Sequence, residues 1–219
     1  MAMPLIQTVY QDITLFLVKN KELLFNERDF QMHLAIYLRA TGNYDDVDVE
    51  YYVPHKELEN YIWDNELKID VLVRKNKEYV PVELKYKTKR VTKTLLRFGE
   101  KIANIEVLKN QGAQDLGMYD FWKDVRRVEL VRKRFDAVKN GLAVFVTNDS
   151  MYLNPSRETS NNKAFNMNAG VHGKQKHWKD SNSTCARTHK NFEVEKEYSI
   201  EWHESEYEDV TFHYCIVKI

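Results

Sequence analysis

The sequence predicts an α/β protein with a mixed central sheet flanked by helices. Three observations predict it. Two amphipathic helical patterns precede the first strand pattern. Residues 68–87 then alternate apolar and polar on either side of a polar break, as the two strands of a hairpin do. Finally, a long helical pattern ends just before Leu142-Ala143-Val144-Phe145-Val146, a continuous apolar run of the kind found in a buried, parallel strand.

The elements follow in order. Over residues 5–25, Ile6, Val9, Tyr10, Ile13, Phe16 and Leu17 keep three-and-four spacing, which predicts a first helix. Asn26 is a capping residue with acids in the turn behind it, so a second helix runs from there to about Ala40 and stops at Thr41-Gly42. Its buried stripe is Phe30, Leu34, Tyr37 and Leu38. Glu27 and Gln31 border that stripe, where a carboxylate can look across to a sheet or simply favour the helix dipole. Residues 48–54 read as a strand ended by Pro54, and 55–67 as a polar loop holding Tyr61 and Trp63. The hairpin follows, then a basic stretch from Lys87 to Lys93. Residues 94–110 have no clear pattern. The third helix spans about 111–138 and ends at Asn140-Gly141, with Leu116, Tyr119, Trp122, Val125 and Val128 on its apolar stripe and Asp124, Arg126 and Arg127 largely off it. Residues 154–191 are polar and read as a long surface excursion anchored by Phe165 and Trp178. Residues 197–219 alternate again, as a closing antiparallel strand pair.

At 219 residues the chain is expected to form a single domain, 1–219. No stretch is apolar for long enough to span a membrane, and the start of the sequence lacks the pattern of a secretory signal. The two cysteines, Cys185 and Cys215, make neither a disulfide framework nor a zinc site, so a cytoplasmic setting is expected. Net charge is zero but uneven: residues 1–82 carry −5, 83–139 carry +7 and 140–219 carry −2. A basic middle suits either a phosphate backbone or a solvated helical face. Phosphate-binding glycine loops and a Gly-x-Ser-x-Gly elbow are absent. His172, His177 and His189 are unspecifically spaced and read as surface histidines.

The chemistry concentrates in the hairpin. With the Lys75–Glu78 break as its loop, Asp70 lies opposite Glu83, and residues opposite one another have Cβ atoms about 5 Å apart. Lys85 shares the face of Glu83. Two carboxylates, with the carbonyl of Leu84 as a further oxygen, suit Mg²⁺ or Mn²⁺, which take oxygen ligands and keep several waters. Lys85 would orient a water or steady phosphate charge. The competing reading is an edge hairpin whose charges merely solubilise it. A one-residue slip in register would put the two acids on opposite faces.

This order, a helix with Glu27, a strand with Glu50, a strand with Ile69-Asp70, then Val82-Glu83-Leu84-Lys85 and a helix, resembles the PD-(D/E)xK nuclease superfamily. The resemblance covers residues 26–147. It implies a restriction-endonuclease-like fold, to which the closing strands are an addition, and Mg²⁺-dependent cleavage of phosphodiester bonds, usually in DNA. It places metal-binding acids at Asp70 and Glu83, the catalytic lysine at Lys85 and a helical acid at Glu27, with Glu50 a rival for the last role. The first motif reads Ile-Asp rather than Pro-Asp. A Gln-x-x-x-Tyr element of some relatives matches Gln114 and Tyr119 only with one extra residue between them; core packing is the simpler account of Tyr119. Lys87, Lys89, Arg90, Arg126 and Arg127 would hold the nucleic-acid backbone. Many such nucleases cut both strands as dimers, which leaves a homodimer open. The alternative is a catalytically silent nuclease-like domain that binds nucleic acid or a protein.

Overall fold

The computed structural model describes residues 3–219. Two helices, α1 (Leu5–Lys19) and α2 (Glu27–Ala40), lead into strand β1 (Asp46–Val53). The hairpin follows as β2 (Leu67–Lys75) and β3 (Glu78–Lys87). A second hairpin, β4 (Val91–Arg97) and β5 (Glu100–Leu108), precedes α3 (Gln114–Arg134) and β6 (Leu142–Thr147). Short elements come next: β7 (Gly170–His172), β8 (Gln175–Lys176), α4 (Thr184–Thr188), β9 (Phe192–Glu193) and β10 (Tyr198–Ile200). The chain closes with β11 (His203–Tyr207) and β12 (Val210–Lys218).

The central sheet has six strands in the order β1-β2-β3-β6-β12-β11. Only β3 and β6 are parallel; their neighbours run antiparallel. The expected mixed sheet with flanking helices and an antiparallel C-terminal addition is therefore present. Alternation along the strands divides the core. Val144 and Val146 pack with α1 and α2, whereas Ala143 and Phe145 pack with α3.

Local chemistry explains the helix boundaries. Asn26 caps α2 by accepting from the Asp29 amide at 2.9 Å. Gly42, at φ +69°, ends that helix region as its left-handed tolerance allows. The first helix stops at Lys19, short of the expected 25, and α3 at Arg134, short of the expected 138. Gly141 therefore does not cap α3. A β-carbon there would meet Val128 Cγ1 at 2.2 Å and the Pro81 carbonyl at 3.1 Å, so Gly141 is where β6 passes between α3 and β3. Gly141→Ala is expected to destabilise the protein by about 1–3 kcal/mol through overpacking, measured as a lower urea midpoint.

Four expectations need correction. His172 is not a surface histidine: it is buried, with its ring against Trp122 and its Nε2 2.7 Å from the Asn168 carbonyl. Most of residues 94–110, without clear pattern in the sequence, belongs to an antiparallel ribbon that spans 91–108. Residues 154–191 are not a loose surface excursion. Phe165, Met167 and Trp178 are buried with Trp122 and Tyr119 of α3, so this segment is a second layer over the helix. Its polar residues serve a turn at Asp180, the cap of α4 at Ser183 and links between loops through Asn161 and Asn191, while a few large aromatics carry the packing. Lastly, Tyr198–Ile200 pairs with β7; the closing pair is instead β11 with β12.

Candidate active site

The hairpin has the register that the alternation predicted. Val71 faces Val82, Val73 faces Val80 and Lys75 faces Glu78, although the turn is shorter, with only Asn76 and Lys77 between the paired strands. Asn76 takes φ +54°, which asparagine tolerates. Pairing of β2 with β3 stops at Val71 and Val82, one position before Asp70 and Glu83. On the other side, the register of β1 with β2 skips the Glu50 and Asp70 position, and Glu50 has φ +52°. The faces switch here as well: Val71 packs with α1 and α2, but Ile69 packs with Leu130 and Val131 of α3. Asp70 therefore sits at a break in the sheet. A non-glycine residue held at positive φ costs about 1–3 kcal/mol, and such strain collects at functional positions.

The break leaves the β3 edge without a strand partner, and side-chain oxygens replace the ladder. The Leu84 amide donates to Asp70 Oδ2 at 2.6 Å, the Tyr86 amide to Glu27 Oε2 at 2.9 Å, and the Thr88 amide to Gln111 Oε1 at 3.2 Å. These are successive outward N–H groups of one strand. The Asp70 carbonyl, free of the ladder, accepts from Gln31 Nε2 at 2.7 Å; the same amide donates to Glu50 Oε1 at 3.0 Å. Glu27 and Glu50 thus support the site from two directions, Glu27 through β3 and Glu50 through Gln31.

Inside this frame lie Asp70, Glu83, Lys85 and a residue the sequence placed off the apolar stripe, Asp124. Lys85 Nζ lies 2.5 Å from Asp124 Oδ2 and donates to the Leu84 carbonyl at 3.0 Å. Asp124 also pairs with Arg127 at 3.4 Å. A signal for Asp124 existed: it follows Phe121 by three and precedes Val128 by four, both buried. What hid it was that α3 is sandwiched, with nearly every side covered.

The electrostatics follow from burial. Glu83 is 3 % exposed, and its Oε1 has no hydrogen-bond partner. Burial, then the charges of Asp124 and Asp70, push its carboxyl well above the usual carboxylate range. Burial raises Asp70 to about 6, against the opposing pull of Lys85. For Lys85, burial favours the neutral amine, but Asp124, Glu27, Asp70 and Glu83 together outweigh it and hold its ammonium well above the ordinary value.

The other expected residues are placed differently. Gln114 donates to Asp149 at 3.0 Å, and ten residues of helix put it about 15 Å along the axis from Asp124. Tyr119 is buried, its hydroxyl bonded to Trp63 Nε1 and the Lys190 carbonyl. Neither joins the carboxylates. Arg127 is buried between Asp124 and Asn65, over the rings of Tyr61 and Trp63. Arg126 pairs with Glu129 and Glu195. Their guanidinium groups are committed to internal partners. Lys89 pairs with Asp149 and Arg90 with Glu106, and Lys87 has no ion-pair partner among the described residues.

No group of three or more His, Cys, Asp or Glu among the described residues is placed to enclose a metal ion. The donors at the break are two carboxylates and the Leu84 carbonyl, with the unpartnered Glu83 Oε1 among them. That set fits a hard dication that keeps its remaining waters. Among the described residues no helix is long and apolar enough to cross a membrane. No family model matches the chain, and neither a curated protein nor a solved structure is significantly similar to it.

Proposed function

We propose that the protein is a metal-dependent nuclease of the PD-(D/E)xK type, with a restriction-endonuclease-like core, that hydrolyses phosphodiester bonds in DNA. The observation that carries this reading is the convergence of Asp70, Glu83 and Lys85 at the strand break, with the Leu84 carbonyl beside them. A purely solubilising hairpin would leave these groups in water, whereas Glu83 is buried and one of its oxygens has no partner.

Asp70 and Glu83 would hold Mg²⁺ or Mn²⁺, with the Leu84 carbonyl as a further oxygen. The ion supplies Lewis-acid stabilisation of phosphate charge and activation of a water. Lys85, kept cationic by its four acids, places a positive charge where the phosphorane-like charge develops. Asp124 is the positioning residue that fixes the Lys85 ammonium, and Arg127 fixes Asp124. Glu27 and Gln31 hold the β3 edge and the Asp70 backbone in place.

Supercoiled and linear DNA incubated with the protein and Mg²⁺ or Mn²⁺ should be nicked or cut. Mn²⁺ should also raise the melting temperature of the wild type at pH 7.5 but not that of Glu83→Gln. Cleavage equal to wild type in both Asp70→Asn and Glu83→Gln would overturn the proposal. Binding of DNA without any cleavage would favour a silent binding domain instead.

A further inference from the structure

Among the described residues the β4–β5 ribbon pairs with no other strand. Its base is hydrogen-bonded to the end of the strand that carries Glu83 and Lys85. Thr88 Oγ1 donates to the Lys109 carbonyl at 2.8 Å, and the Gln111 amide to the Thr88 carbonyl at 2.8 Å. Val91, Leu95, Ile105 and Val107 pack this base on the first core. Beyond Leu95 the guanidinium of Arg97 lies 5.4 Å over the ring of Phe25, and the apolar side chains are bare: Leu96 is 63 % exposed, Ile102 43 % and Phe98 fully exposed.

The tip is costly in two ways. Phe98 and Gly99 form the two-residue turn between the paired Arg97 and Glu100, at φ +51° and +85°. Positive φ at a bulky residue is rare, and asparagine or glycine is the ordinary choice in such turns. A large aromatic ring is thus held in a strained turn and offered wholly to solvent. Its surroundings are cationic. Residues 85–109 hold eight Lys or Arg against two Glu. Lys87, Arg97, Lys101 and Lys109 have no ion-pair partner among the described residues.

We propose that the ribbon is a duplex-binding arm, with Arg97 and Lys101 on phosphates and the Phe98 ring wedged into a base step. This rests on the nuclease reading and names its substrate as double-stranded DNA distorted at that step. A two-stranded ribbon fits a duplex groove, and apolar wedges unstack base steps. The ribbon leaves β3 a few residues beyond Lys85, so the wedge and the cutting site would grip one duplex.

The test needs no cleavage. Duplexes carrying 2-aminopurine are titrated with the full chain in metal-free buffer, following anisotropy and base fluorescence. Wild type should bind and raise the fluorescence. Phe98→Asn suits the positive φ and should melt at or above wild type, yet lose most of the fluorescence rise and bind about tenfold more weakly. The Arg97→Ala/Lys101→Ala double variant should reduce the slope of log affinity against log salt by about 2. An unchanged fluorescence rise in Phe98→Asn overturns the proposal. So does a wild type that binds no duplex, including one that instead binds phosphatidylserine vesicles through Phe98. The two readings fail separately. Unstacking without cutting refutes the hydrolytic assignment alone, and cutting without unstacking refutes the wedge alone.

Discussion

Asp70→Asn and Glu83→Gln are each expected to lower Mg²⁺-dependent cleavage by on the order of 10³-fold, the scale of losing a group that acts on developing charge. Each should also make the metal-free protein more stable at pH 7. The second effect follows from linkage. Burial raises Asp70 to about 6 from an ordinary 3.8, and Glu83 moves in the same direction. The folded state therefore holds protons that the unfolded chain has released. The stability that the Asp70 proton confers is complete below about pH 4 and is lost as pH rises through about 6; the Glu83 proton acts in the same direction. At pH 7 Asp70 is ionised at a cost that asparagine avoids. The gain in Asp70→Asn should be about 1–3 kcal/mol, discounted because part of the carboxyl reaches solvent. Urea melts from pH 4 to 8 check this. Wild type without metal should weaken across pH 4–6, and Asp70→Asn should weaken less. A residue kept for structure would show the opposite sign at pH 7. Such an exchange of stability for function is common at active sites.

Asp124→Ala is expected to cost about 3 kcal/mol. Asp124 is buried between Lys85 and Arg127, at 2.5 and 3.4 Å. Removing one partner of a buried ion pair leaves uncompensated charge and costs about 3–5 kcal/mol; the lower end applies here because Asp70 and Glu83 still face Lys85. The measurement is a denaturant midpoint lowered with an unchanged slope. Asp124→Asn keeps the side-chain shape but not the charge. It should retain more stability, and the pH profile of cleavage should lose its alkaline limb earlier, because the strongest charge holding the Lys85 ammonium is gone. A variant with normal stability and an unchanged profile would show that Asp124 does not position Lys85.

Much of this was legible in the chain itself. Asn26, with acids behind it, announced α2, and the side-chain cap is where that pattern placed it. The alternation over 68–87 gave the hairpin and its register, because a period of two leaves little freedom once one face is buried. The continuous apolar run after α3 became the parallel strand β6, as a strand covered on both faces must. The ribbon was not legible. Its residues alternate weakly because half of it faces solvent on both sides. The second layer over α3 was missed for a related reason: its core rests on a few aromatics scattered among turn residues, and neither period appears.

The sequence by itself determined which acids and which lysine share a short hairpin, because local register depends only on periodicity and turn length. Tertiary structure decided everything that depends on distance along the chain. It broke the sheet at Asp70, set Glu27 and Gln111 on the bare edge of β3, and brought Asp124 onto Lys85 from α3. Asp124 lies 39 residues beyond Lys85 in the chain. No period links residues so far apart. Only the packing of α3 between the sheet and the second layer makes burial of that carboxylate, and hence its pairing with Lys85, unavoidable.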